Sequence, residues 1–315
     1  MDLAALEIFC AVAREGSVTR AAERLGRAQS NVSTRLQQLQ QQLGAELLER
    51  DGRGVRLTAA GSTLLAYAER LLALAEEARQ ALHPQEPAGR LRLGAMESTA
   101  AARLPAPLAR LHARWPALRL ELRTGSSRRL VDQVLACELD CALAAWPPPE
   151  LEPDAAPLLQ RLPVYDEALL LALPASHPPV AGPADLRLHR LAAFDRGCSY
   201  RAAAERWMGQ CSVRVEVLEL ASYPAMLACV AAGHCAAVLP RSMRVLLQPP
   251  PTLRWVELGA SSTELVARAG YATAALQALR QALLAQAGDE PPPVGPPAAR
   301  VHQATRQPRA SHESS

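Results

Sequence analysis

The sequence predicts an all-α amino-terminal segment that leads, through one long helix, into an α/β domain of two lobes. Three features predict this. Residues 17–43 hold two helical patterns separated by a glycine, and residues 58–82 carry an apolar stripe at heptad spacing. From Leu91 onward, strand and helix patterns alternate in two blocks divided by a proline-rich stretch. A chain of 315 residues has room for two or three such domains.

The 49% hydrophobic and 21% charged content is that of a globular protein able to bury a core. Aromatics are only 3%, so the core must rest on Leu, Val and Ala. No continuous apolar run reaches the length needed to cross a bilayer, and Met1-Asp2 opens an amphipathic segment without a secretory pattern. Membrane insertion and secretion are disfavoured, and a cytoplasmic protein is expected. The seven cysteines (Cys10, Cys137, Cys141, Cys198, Cys211, Cys229, Cys235) include no Cys-x-x-Cys pair and read as reduced thiols. All 34 basic residues are arginine, which reflects genome composition more readily than function. A net charge of +3 decides nothing about partners, so the position of the charge matters.

Residues 17–25 form a short helical pattern with Ala21, Ala22 and Leu25 on one face, and Gly26 breaks it. Residues 29–43 place Val32, Leu36, Leu39 and Leu43 on a second stripe. The other face carries Gln29, Ser30, Asn31, Ser33, Thr34, Arg35, Gln37 and Gln38. Between Glu23 and Glu46 there is no acid, while Arg24, Arg27 and Arg35 give that stretch a local +3. Amides that can bond adenine edges, arginines that can bond guanine or phosphate, and hydroxyls suit a DNA groove. Arg50-Asp51-Gly52-Arg53-Gly54-Val55-Arg56 then reads as a tight hairpin, or wing, presenting Arg50, Arg53 and Arg56. Taken alone, the helix pair also fits a helical hairpin with a polar outer face, and the hairpin fits a solvated basic turn.

Leu64, Ala68, Leu71, Ala75, Ala78 and Leu82 form the heptad stripe, which asks for a partner helix or for the helix's own domain. Pro84 and Pro87 end the helix within a linker at 83–89. Strands follow at Leu91-Leu93-Ala95, 118–123 and 139–144, with helices at 100–114 and 128–136 between them. Residues 147–163 interrupt as a crossover or hinge. The second block has strands at 168–173, 191–194, 213–218 and 236–239, helices at 200–209 and 223–232, a short strand at 266–269 and a last helix at 272–287. The expected divisions are a DNA-binding unit at 1–58, a linker helix and hinge at 59–89, a two-lobed domain at 90–288 and a disordered tail at 289–315.

Two α/β lobes on a hinge suit a clamshell that closes on a small molecule at the carboxyl ends of strands. Its candidate contacts lie at strand-to-helix junctions: Ser98 and Thr99 within Met96-Glu97-Ser98-Thr99, then Gly125, Ser126 and Ser127, then Cys198, Ser199, Tyr200 and Arg201, then Ser222 and Tyr223. These supply hydroxyls, a thiol and an arginine for a small polar or anionic ligand. Plain helix capping is the competing role for Ser126 and Ser222, solvent exposure for Arg201, and inert packing for Cys198. Catalysis has no support. The histidines lack metal-ligand spacing, and no glycine-rich phosphate loop occurs, so neither a metal nor a cofactor is expected.

The ordered set Phe9, Ala13, Gly16-Ser17, Ala21-Ala22, Leu25, Gln29-Ser30-Asn31-Val32-Ser33, Leu36, Leu39, Leu43-Gly44, Leu47, Arg50, Leu57-Thr58 and Gly61 resembles the LysR-type transcriptional regulators. The likeness continues to about residue 288. The resemblance implies a winged helix-turn-helix, a linker helix that pairs two subunits, and an effector domain like a periplasmic binding protein. It also implies a homodimer or homotetramer on double-stranded promoter DNA, a small metabolite effector, and RNA polymerase as a further partner. Three positions depart from the family pattern: Ala28 stands where Ser or Thr usually caps the second helix, Leu48 replaces a usual Phe, and Gln40 a usual Glu. The stretches around Glu97-Ser98-Thr99 and Cys198-Ser199-Tyr200-Arg201 are similar to a branch that includes regulators of sulfur oxidation and putrescine use.

Overall fold

The structure, a computed structural model, describes residues 1–52, 54–82, 87–211, 214–247 and 252–287. Helix α1 (Leu3–Glu15) starts at Asp2, whose carboxylate accepts from the Ala5 amide at 2.7 Å. Helix α2 (Val18–Leu25) starts at Ser17, and its chain reverses at Gly26, where φ is 62°. Helix α3 (Gln29–Leu43) begins at Ala28, which offers no side-chain cap, so this helix start forgoes about 1 kcal/mol. Phe9, Val12, Ala21, Val32, Leu36 and Leu39 bury together as the core of this unit, each large side chain contributing about 1.5–3 kcal/mol of apolar burial. Leu43, expected on the same stripe, is instead 41% exposed at the end of α3.

The wing is the antiparallel pair β1 (Leu48–Asp51) and β2 (Gly54–Leu57), with Leu48 opposite Leu57. It is fastened to the helices by the Val55 amide, which donates to the Gly16 carbonyl at 3.0 Å. Gln40, one of the family departures, has a structural use: its side-chain oxygen accepts from the Leu47 and Leu48 amides at 2.8 and 3.3 Å. Arg53 lies outside the described residues.

Helix α4 (Ala59–Ala81) springs from Thr58, whose hydroxyl donates to the Glu46 carbonyl at 2.7 Å and accepts from the Gly61 amide at 3.0 Å. A Cβ on Gly61 would lie 1.9 Å from the Leu47 carbonyl oxygen, a backbone atom that cannot rotate away. A Gly61→Ala chain is therefore expected to lose roughly 2–4 kcal/mol of stability in the amino-terminal unit. Thermal unfolding followed by circular dichroism checks this, and an unchanged transition would show that α4 can lift off freely.

The heptad stripe needs correction. Leu64 and Ala68 turn inward onto α1, with Ala68 fully buried. Leu71 and Leu82 instead join Tyr67, Leu74 and Ala78 on an exposed face, where Tyr67 is 58% and Leu74 59% exposed. The first turns of α4 rest on their own domain, so the free seam lies on the neighbouring face. The expected linker at 83–89 falls mainly on residues outside the described ones, and Gly89 already belongs to a strand.

The second domain runs β3 (Gly89–Ala95), α5 (Glu97–Ala102), α6 (Pro105–Arg114), β4 (Leu118–Thr124), α7 (Ser127–Leu135), β5 (Cys141–Trp146), β6 (Leu159–Pro174), β7 (Arg190–Ala193), α8 (Ser199–Met208), β8 (Glu216–Glu219), α9 (Tyr223–Ala231), β9 (Ala236–Pro240), α10 (Arg241–Arg244), β10 (Leu253–Arg268) and α11 (Ala274–Ala287). The sheet order is β4-β3-β5-β10-β6-β9-β7-β8. Each outer trio pairs in parallel, as expected of strand–helix alternation. The two lobes are these trios, and the paired 16-residue strands β6 and β10 cross between them.

Those strands overturn two expectations. The supposed interruption at 147–163 ends inside β6, and the short strand at 266–269 is the tail of β10. Prolines disguised β6: Pro163 sits beside a register shift between Thr263 and Glu264, where a missing amide donor is tolerated. The expected helix at 100–114 is also two helices, because Pro105 starts a new one. The strand expected at 213–218 is Glu216–Glu219, with residue 213 outside the described set, and so is the expected tail at 289–315.

Candidate functional site

The short helix, the turn and α3 leave one face of α3 uncovered. Gln29, Ser30, Asn31, Thr34, Arg35, Gln37 and Gln38 are exposed there, Ser33 is half-buried, and Arg27 is exposed in the turn just before. Two wing arginines, Arg50 on β1 and Arg56 on β2, are also exposed, and Arg56 meets Glu49 at 3.1 Å. Arg35 sits 3.6 Å from Asp2, a solvent-exposed contact that a phosphate can displace at little cost. Arg24 is drawn to Glu15 at 2.9 Å, so it faces back toward α1. The face therefore presents neutral amides and hydroxyls rimmed by cations.

The second site is a cavity of about 210 Å³ between the lobes. Of the expected contacts, Ser98, Gly125, Ser126, Ser127, Cys198, Tyr200 and Tyr223 line it. Met96, Glu97, Thr124, Phe194, Asp195 and Ala221 line it too and were not singled out. Four expected contacts do other work. Ser199 donates to the Ala145 carbonyl at 3.2 Å, and Ser222 begins α9 without side-chain capping. Thr99 is a buried residue of α5 that is not among the cavity's lining. Arg201, neither solvent-exposed nor in the cavity, is buried against Glu205 at 2.9 Å, Glu219 at 3.1 Å and the Phe194 carbonyl at 2.9 Å.

The lobes touch at the cavity's rim. The Arg128 amide donates to the Gly197 carbonyl at 3.1 Å, and a Cβ on Gly197 would come within 2.5 Å of the Ser126 hydroxyl. Ser127 anchors the wall, its hydroxyl accepting from the Ala145 amide and donating to the Met96 sulfur, both at 3.2 Å. Burial pushes the Cys198 thiol up, away from the thiolate form that redox sensing needs. Burial also raises Tyr200 and Tyr223, so both keep their hydroxyl protons. It raises Glu97 as well.

Helix α7 ties this cavity to the linker helix. Its first turn lines the cavity, and the carbonyls of Val134 in its last turn and of Leu139 in the segment that follows accept from Arg268 at 3.3 and 3.2 Å. The same guanidinium grips Glu77 of α4 at 2.9 Å.

A helix-turn-helix with a wing, a long helix with an exposed apolar seam, and a two-lobed α/β domain around a cleft define a ligand-responsive DNA-binding regulator. Residues 3–62 match the family model for bacterial regulatory helix-turn-helix proteins of the lysR family, and residues 84–288 match that for the LysR substrate binding domain. The chain belongs to the LysR family of transcriptional regulators, and it is a DNA-binding regulator with an effector-binding domain. It is 36% identical over 245 residues to the HTH-type transcriptional regulator GltR of Bacillus subtilis (strain 168), covering 77% of this chain and 81% of the relative. It is 31% identical over 260 residues to the regulator SoxR of Arthrobacter sp. (strain TE1826), covering 82% and 86%. The fold is shared with full-length OxyR from Pseudomonas aeruginosa, at TM-score 0.67, 23% identity and coverage of 90% and 94%. It is shared also with full-length CbnR complexed with its target DNA, at TM-score 0.63, 22% identity and coverage of 91% and 100%. Among the described residues no helix is long and apolar enough to cross a membrane.

Proposed function

We propose that the exposed face of α3 reads the major groove of promoter DNA, and that a small metabolite in the interlobe cavity modulates that binding. The carrying observation is the exposed face of an acid-free helix bearing Gln29, Ser30, Asn31, Ser33, Thr34 and Arg35, with Arg27, Arg50 and Arg56 exposed as candidate phosphate contacts; the sequence adds Arg53 to these. The amino-terminal unit binds DNA, α4 pairs subunits through its exposed seam, and the domain from about residue 90 to residue 288 holds the metabolite. The working form is a homodimer or homotetramer, which duplicates the reading face at the spacing of two half-sites. It acts in the cytoplasm, with RNA polymerase as a further partner, and as a regulator rather than an enzyme. Ser98, Gly125, Ser126, Ser127, Cys198, Tyr200 and Tyr223 touch the metabolite, while Thr99, Ser199, Arg201 and Ser222 shape the walls.

Titrating the full chain onto DNA lying upstream of its own gene tests this reading. A retarded complex whose affinity shifts with a metabolite is expected, and no complex at low ionic strength would refute it. The contact between Arg268 and Glu77 offers the route from cavity to linker helix. A Glu77→Ala chain should still bind DNA and ligand, yet lose most of the coupling between them, which for such regulators is about 1–3 kcal/mol. Calorimetric ligand titration with and without DNA measures it, and full coupling in the variant would rule that route out.

A further inference from the structure

The cavity's charge is opposite in sign to what an anionic ligand requires. In a chain with 34 arginines, no arginine or histidine is among the described residues that line it, whereas Glu97 and Asp195 both do. Arg201 of the α8 junction is spent on Glu205 and Glu219, Arg128 beside the rim is held by Asp132 at 2.9 Å, and Arg129 and Arg196 line a separate groove outside it. Behind the wall, Arg103 meets Glu167 at 2.7 Å, a buried pair that adds no net charge. One carboxylate oxygen of Glu97 is buried in the lining without a hydrogen-bond partner among the described residues, while the hydroxyl of Tyr200, a residue only 2% exposed, lies beside the Ser98 and Thr263 hydroxyls. A buried carboxylate oxygen left unpartnered in a cavity is costly unless a ligand completes it.

We infer that the cavity takes a small metabolite bearing a primary ammonium group, seated on the Glu97 carboxylate and hydrogen-bonded by the Tyr200 hydroxyl, with Asp195 drawing it in at the mouth. This rests on the reading of the cavity as the metabolite site and names its ligand class. An ammonium brings three donors and the missing counter-charge, and a charge-assisted bond in this half-dry setting is the stronger kind. A dicarboxylate of the same length would set like charge against Glu97 and leave it unpaired. Asp195 is exposed and its carboxylate already accepts from the Gly197 amide at 3.0 Å, so its part is the weaker one. The hydroxyls of Ser98, Thr124 and Ser126 leave the rest of the ligand free to be neutral or polar.

Three probes of equal backbone length separate the possibilities: 1,5-diaminopentane, 5-aminopentanoate and glutarate, each titrated at millimolar concentration into the full chain while the melting temperature and the heat of binding are followed. The two amines are expected to bind and to raise the melting temperature, and glutarate is not. A Glu97→Gln chain should lose about tenfold or more in amine affinity, and an Asp195→Asn chain about twofold. The unliganded melting temperature of each variant establishes that it is folded; should Glu97→Gln fail to fold, the order of the three probes on the natural chain still decides. Glutarate binding in place of the amines, equal amine affinity in Glu97→Gln, or no shift with any probe overturns the inference. DNA retardation on the same samples keeps the two readings apart, since its loss strikes the regulator reading and a preference for glutarate strikes only the ligand class.

Discussion

An Arg35→Glu chain is expected to lose binding to its promoter DNA at physiological salt while unfolding at the same temperature as the natural chain. Arg35 projects from the second turn of α3 with its side chain 47% exposed, and it pairs with the exposed Asp2 at 3.6 Å. Removing it therefore takes nothing from the core. On DNA the same guanidinium would meet a phosphate or a guanine edge. A lost phosphate contact lowers the slope of log affinity against log salt by about 0.9, and a lost base contact costs about 1–3 kcal/mol. Reversing the charge adds repulsion from the phosphates, so the deficit in a dimer with two copies of the change should reach at least about a hundredfold. Fluorescence anisotropy with a labelled duplex measures it. An affinity within twofold of the natural chain would take Arg35 off the contact surface.

Placing glutamates at Leu71 and Leu74 together should give a folded monomer. Both lie on the exposed seam of α4, at 40% and 59% exposure, and neither belongs to the core formed with α1. In a paired helix the two carboxylates would be buried without partners, at about 3–5 kcal/mol for each such charge. That exceeds what the rest of a short seam can restore. Size-exclusion chromatography with light scattering reads the mass directly, and DNA affinity should fall with it because two half-sites are no longer held together. A persisting dimer would move the pairing surface elsewhere. Ala68→Glu makes an informative contrast, since Ala68 is fully buried against α1 and its replacement should unfold the amino-terminal unit.

Much of this was legible from residue order alone. The stripe of Val32, Leu36 and Leu39 together with Gly26 located α3, because helix periodicity and a left-handed turn residue are local signals. The strand-to-helix junctions located the cavity through Ser98, Ser126, Ser127, Cys198, Tyr200 and Tyr223, since a parallel α/β unit always delivers such turns to one edge of the sheet. What failed depended on tertiary partners. A heptad pattern does not tell which face of α4 its own domain will take, so Leu64 and Ala68 were grouped with Leu71 and Leu82. Strand β6 was hidden by Pro157 and Pro163, which read as loop until β10 is known to lie alongside with a bulge. Arg201 looked like a ligand contact, although Glu205 one helical turn later already signalled an intrahelical pair. Glu97 was passed over because its importance comes from what is missing around it, and an absent counter-charge leaves no trace in local sequence.

The reading of duplex DNA by α3 rests on its amide- and hydroxyl-bearing face. Its most direct test is an anisotropy titration of the full chain on its upstream duplex and on a shuffled duplex of equal composition, at several salt concentrations. Affinity is expected to fall steeply with salt, and Asn31→Ala to reduce the preference for the natural duplex by about 1–3 kcal/mol. Equal affinity for both duplexes, or a preference untouched by Asn31→Ala and Arg35→Glu alike, would contradict that reading.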